Sequence, residues 1–198
     1  VFKGFTENNE RVRYLEPHEF ARLVQCLPEP YGSMATFAVS TGLRRNNVAG
    51  LRWEFVNMAR RTATFPELVM KNGKPLTIPL NETAMGAMRR QLGKSTVWVF
   101  PRLDGERVRD IPSKMWKKAL EQAGIENFRW HDLRHTWASW LRQSGAVGLD
   151  MIQELGGWKQ RSMVQRYSHL SVEHLASSAG VLDQLLAPVS GEIGRAHV

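Results

Sequence analysis

The chain has 198 residues, 42% apolar and 23% charged, with 27 Lys and Arg against 19 Asp and Glu. That length can bury one sizeable core, the composition is that of a globular domain, and the cationic excess favours a polyanionic partner. The lone Cys26 excludes an internal disulfide framework and fits a reducing compartment; with no run near the roughly 20 apolar residues of a membrane span and no signal-peptide pattern, a cytoplasmic location is expected.

The chain begins at Val1 and reads as a piece of something longer, with polar, basic residues 1–14 as the end of a linker. Glu16-Pro17 opens an amphipathic helix through Leu27, because proline in a first turn gives up an N–H that has no partner there anyway. Cys26 falls at its core edge, and Pro28 and Pro30 stop it. Residues 32–42, small and apolar, predict a buried helix ended by Thr41-Gly42, and a short helix follows from Asn46 to Leu51. Trp53–Asn57, Thr62–Phe65 and Leu76–Pro79 are β-prone runs, the last two separated by Lys71-Asn72-Gly73-Lys74, whose Asn-Gly pair signals a hairpin. Helical patterns then occupy 81–92, 113–124, 131–144, 148–156, 161–168 and 171–187. The apolar stripe of the last of these, with Leu175, Leu182 and Leu186, packs on its own domain or on a neighbouring protomer. Residues 189–198 have no periodicity and read as a flexible or vector-derived tail. The expected fold class is α+β, mostly α-helical: a helical domain over 15–188 with a small three-stranded antiparallel sheet.

Chemistry concentrates at few positions. In His131-Asp132-Leu133-Arg134-His135, His131 and Arg134 lie three apart on one helix face. Burying both without an anion is costly, so that edge borders a ligand unless Asp132 or another acid pairs with Arg134. Upstream, Arg44 follows Thr41-Gly42-Leu43, where glycine lets the backbone approach a phosphate, whereas Arg45 and Arg52 read as basic surface. Lys71 at the hairpin is either solvated or a proton donor to a departing oxygen. Tyr167, in Gln165-Arg166-Tyr167-Ser168-His169, needs cations beside it to act as a nucleophile, since a free phenol has a pKa of about 10. Trp158, in Leu155-Gly156-Gly157-Trp158, carries an N–H able to reach an oxygen, although tryptophans more often fill cores. Two guanidiniums, a histidine and a phenol suit attack on a phosphodiester, because guanidiniums supply the neutralisation a metal would otherwise give. His131 and His135 at i and i+4 also raise a metal reading. The short Asp132, the fixed charge of Arg134 and the missing third ligand tell against it, which leaves His135 as a structural histidine hydrogen-bonded in the core.

In order and spacing, Arg44 in Thr-Gly-Leu-Arg, Lys71 on a hairpin, His131-x-x-Arg134-His135, Leu-Gly-Gly-Trp158 and Gln-Arg-Tyr167 resemble the signature of the tyrosine recombinase (phage integrase) family, from Leu15 to Leu186. The resemblance implies that family's DNA breaking-rejoining fold and site-specific strand exchange through a 3′-phosphotyrosyl intermediate, with no cofactor. Arg44 and Arg134 would clamp the scissile phosphate, His131 would assist proton transfer, Trp158 would bond the phosphate, Lys71 would protonate the 5′ oxygen and Tyr167 would attack. Implied partners are double-stranded DNA at attachment sites, other protomers in a tetrameric synaptic complex, and host DNA-bending and excision accessory proteins. Many members carry histidine at the place of Trp158 and an acid at the place of Asn47. These departures give any acid–base role to His131 and remove a charge partner from Arg44. The family's N-terminal DNA-clamping domain is not supplied by residues 1–198, so weak, salt-steep DNA binding is expected. The rivals are a type IB topoisomerase, an inert DNA-binding or directionality module, and a metal hydrolase on His131 and His135. The Leu-Gly-Gly-Trp element favours the recombinase over the first, and the intact residue set favours an enzyme over the second.

Overall fold

The protein, seen in a computed structural model, is described over residues 12–70 and 73–168. Helix α1 (Pro17–Cys26) starts where sequence places it, the Glu16 N–H donating to the Glu19 carboxylate at 2.8 Å. Helix α2 (Tyr31–Thr41) is buried nearly all round and packs against α1, α4 (Glu82–Arg89) and α6 (Asp132–Gln143). Its polar side chains are tolerated there because Thr36 and Thr41 donate back to the Gly32 and Phe37 carbonyls. A short α3 (Arg45–Ala49) leads to the sheet.

The sheet is antiparallel, ordered β1 (Val56–Asn57), β2 (Thr62–Phe65), β3 (Leu76–Pro79), with Ala63 opposite Ile78 and Phe65 opposite Leu76. Ala63, Phe65 and Ile78 turn into the core, while Thr64 and Thr77 bond each other on the exposed face. The first expected strand is cut short, because Trp53–Phe55 forms a 3₁₀ turn. The Trp53 backbone N–H donates to Val97 and its indole to Ser95, so a segment after α4 takes the chain away from the ladder. The β2–β3 connection is longer than a tight hairpin and holds a second 3₁₀ turn, Glu67–Val69, before Gly73 enters the left-handed region at φ 62°. Lys71 itself lies outside the described residues.

Helices α5 (Ser113–Ala123), α6, α7 (Leu149–Gly156) and α8 (Ser162–Gln165) complete the described chain. Tyr167 was expected on a helix over 161–168, but it falls in the turn beyond α8, its N–H donating to the Val164 carbonyl. That tight turn lets Val164 and Tyr167 point into the same interior. The expected helix at 171–187 lies outside the described residues, as do the start of the linker and the tail. Two apolar clusters result. A large one gathers α1–α5 and the sheet, and a small one holds Trp137, Ala138, Ile152, Val164 and Tyr167. Helix α6 joins them, with Leu133 in the first and Trp137 in the second.

Candidate active site

Helix α6 sets the site. Asp132, at its first position, accepts the Arg129 N–H at 2.8 Å and lies 3.7 Å from the Arg129 guanidinium, so its carboxylate secures the helix start rather than Arg134. Arg134 is 3% exposed, and no carboxylate pairs with it among the described residues. Its two terminal nitrogens donate, each at 2.7 Å, to the carbonyls of Gly42 and Gly156. These carbonyls stand at the C-terminal ends of α2 and α7, where helix dipoles concentrate negative potential. The guanidinium carbon sits 3.7 Å from the centroid of the Trp158 ring, which is itself stacked on Trp137. Burial, with the charge of Arg44 second, pulls the Arg134 pKa down to about 9, which still leaves the group charged at neutral pH. Dipoles and a ring face hold this cation without cancelling it.

Two glycines make the arrangement possible. Gly42 closes α2 at φ 67°, and a Cβ there would lie 2.3 Å from the Trp137 ring. Its role in the described structure is to admit Trp137 and aim a carbonyl at Arg134. A Cβ on Gly156 would lie 2.2 Å from Trp158.

Arg44, half-buried at the start of α3, lines a cleft of about 740 Å³ together with His131, Trp130 and Met70. His131 is lowered in pKa by burial first, then by the charges of Arg134 and Arg44, partly offset by Asp132. Asn47 donates its backbone N–H to the Arg44 carbonyl at 2.9 Å, while its side-chain amide donates to the Met70 sulfur at 3.3 Å and so ties down the residue preceding Lys71. Arg45 pairs with Asp110 and Arg52 with Glu54, the surface role expected of both.

Tyr167 is 1% exposed, packed near Trp158, with its hydroxyl 2.6 Å from His135 Nδ1. Burial pushes the phenol up to about 12, against the opposing charges of Arg166 and Arg134. Burial likewise pushes His135 down to about 4, helped by His131 and Arg166. Both groups are therefore neutral at pH 7, and in the tautomer that carries its proton on Nε2 the His135 Nδ1 accepts the phenol O–H.

Of the residues singled out by sequence, Arg44, His131, Arg134, Trp158 and Tyr167 come together, and Lys71 lies outside the described residues. Trp158 contributes its ring face to Arg134, a different contact from the indole bond to phosphate expected of it. What sequence missed is the His135–Tyr167 bond, which joins positions 32 apart. His135 is indeed hydrogen-bonded in the interior, but to the phenol. Among the described residues no group of three or more His, Cys, Asp or Glu is placed to hold a metal ion.

Guanidinium charge with no carboxylate paired to Arg134 or Arg44 among the described residues, next to a neutral histidine and a phenol, has the chemistry to receive a phosphate-bearing ligand on a helical domain with one small sheet. Residues 13–174 match the model of the phage integrase family. The integrase of Salmonella phage P22 is 41% identical over 197 residues, covering 93% of this chain and 51% of that protein. Among solved structures, the catalytic domain of bacteriophage HP1 integrase superposes with a TM-score of 0.65 at 22% identity, covering 90% of this chain and 98% of that one. The Tn1549 transposon integrase in complex with circular intermediate DNA gives 0.71 at 14% identity, covering 89% and 68%. The chain belongs to the phage integrase (tyrosine recombinase) family and has the fold of its catalytic domains. It spans about half the length of the P22 relative.

Proposed function

We propose that this chain, taken as residues 15–188 with 1–14 leading in from a further DNA-binding domain, is the catalytic part of a site-specific DNA recombinase. It would act on attachment sites of a phage or mobile element together with other protomers. The observation that carries this is Arg134: buried, charged, unpaired with any acid among the described residues, and near enough to Arg44, His131 and Tyr167 for their charges to act on one another. Arg44 and Arg134 meet the non-bridging oxygens of the scissile phosphate and stabilise the charge that grows on them in the transition state. The Tyr167 oxygen attacks phosphorus, the bond to the 5′ oxygen breaks, and Lys71 protonates that oxygen, leaving a 3′-phosphotyrosyl link and a 5′ hydroxyl. Attack by a 5′ hydroxyl reverses each step, so bond energy is conserved in the link and no cofactor is called for.

The cleft surroundings support a duplex partner. From the cleft, a hollow of about 410 Å³ continues past Asn46, Asn47 and Arg52, and another of about 500 Å³ past Trp98, Arg107 and Arg109. Arg52 and Arg107 both lie over the Trp98 ring at 5.6 Å, and Gly50 leaves the room that Arg107 occupies. A backbone of phosphates can follow that line from one guanidinium to the next.

The test is a nicked suicide duplex bearing the element's attachment core, with EDTA present, run on a denaturing gel. A covalent protein–DNA adduct is expected from the parent chain and none from Tyr167→Phe. No adduct from this chain or from the full-length protein overturns the reading in favour of an inert DNA-binding module.

A further inference from the structure

We propose that His135, rather than His131, takes the proton of Tyr167 as the phenol oxygen attacks phosphorus, and returns it when the strand is rejoined. The inference rests on the proposed strand-transfer activity and deepens it. The resemblance to the family implies that His131 assists the tyrosine, but the geometry points one helical turn along α6. His135 Nδ1 is 2.6 Å from the Tyr167 hydroxyl, whereas His131 lines the cleft beside Arg44. The two imidazoles meet edge-on at 5.3 Å, so His131 can face the phosphate while His135 faces the phenol.

Protons and charges balance. Tyr167 O–H and neutral His135 become a phosphotyrosyl ester and an imidazolium, while the departing 5′ oxygen is protonated by Lys71. Rejoining runs the same transfers backwards, with the imidazolium protonating the leaving phenolate. Transfer in the resting arrangement is strongly uphill, because His135 is partly buried and His131, Arg166, Arg134 and Arg129 all face it with positive or potentially positive charge. A scissile phosphate bound between Arg44 and Arg134 adds the one negative charge missing from that set, which stabilises an imidazolium at His135. The hydrogen bond thus holds the phenol neutral until DNA is bound, and then supplies its acceptor. Trp158, unable to carry a proton, leaves His135 as the titratable ring in contact with Tyr167 among the described residues.

The experiment measures single-turnover adduct formation on the suicide duplex from pH 6 to 10 for the parent chain, His135→Gln, His135→Ala and Tyr167→Phe, with duplex binding by fluorescence anisotropy as a check of folding. His135→Gln is expected to bind DNA like the parent yet form adduct about 100-fold more slowly near neutral pH, in line with loss of a general base. Its deficit should shrink toward pH 10, where hydroxide replaces the missing acceptor. Added imidazole should restore part of the rate to His135→Ala. A His135→Gln deficit constant across pH, with no imidazole rescue, makes His135 a packing residue and overturns the proposal. Parent-like rates from both His135 variants overturn it as well. Absence of adduct from the parent and the full-length protein alike instead removes the recombinase reading on which it rests.

Discussion

Arg134 and His135 are neighbours on one helix, and their surroundings drive them to opposite charge states. Arg134 keeps its proton because two carbonyls and an indole face accept it, whereas His135, partly buried among cations and bonded to a phenol, is held neutral. The second case has a consequence for stability. His135 titrates at about 4 in the folded chain against an ordinary 6.5, so between those values the unfolded chain binds a proton that the folded chain does not. Stability therefore rises with pH through that window and is lost as pH falls from 6.5 toward 4, by up to about 3 kcal/mol. Urea denaturation of the parent at pH 7 and pH 4 should show that loss, and His135→Gln should show a clearly smaller one. An equal acid sensitivity in both proteins assigns the effect to other groups, His131 first among them.

The site is assembled at helix ends, and there the glycines differ in kind. Gly42, Gly124 and Gly157 each close a helix in the left-handed region. Nothing lies within 4 Å of a Cβ on Gly124, so Gly124→Ala meets only the backbone cost of about 1–2 kcal/mol. Gly156→Ala has ordinary helical backbone but drives its methyl into the Trp158 ring and pushes the indole off Arg134. It should destabilise by about 1–3 kcal/mol and also depress adduct formation, whereas Gly124→Ala should leave the adduct rate of folded protein unchanged. Thermal melts paired with the suicide-substrate assay separate the two. Sequence made the helix ends legible because Gly and Pro punctuate strongly periodic helices, and it delivered β2 and β3 to the residue. It failed where a tertiary partner competes: Trp53 leaves the strand for Val97, and the α8 region tightens so that Val164 and Tyr167 share one interior. The same division holds in the site. Arg44, His131, Arg134 and Tyr167 were legible from residue types in order, while the Gly42 carbonyl and the His135 contact were not, since both are made by helices meeting in space.

Across the described molecule, Tyr167 and the Arg44–His131 cleft are anchored differently. Arg44 and His131 flank the large cluster, which fixes the cleft, whereas Tyr167 belongs to the small cluster on α6, α7 and α8. In the proposed function, DNA is gripped on the large-cluster side, along the hollows that run from His131 past Asn46 to Arg109. Of the arginines on that line, Arg52 and Arg102 are paired with Glu54 and Asp104, and Arg107 and Arg109 have no carboxylate within salt-bridge distance among the described residues. Glu106 also lines the far hollow and opposes the approach of phosphate, so the line is a modest attractor suited to a weak grip. Replacing Arg107 and Arg109 together by alanine removes up to two phosphate contacts, each of which contributes about 0.9 to the slope of log K against log salt. The double variant should flatten that slope by about 1–2 for a generic duplex. Arg89→Ala, which removes a cation paired with Glu82 on α4 outside the hollows, should leave it as in the parent. Anisotropy titrations at several salt concentrations decide the matter: equal slopes for the double variant and the parent would mean that the duplex leaves the cleft by another face.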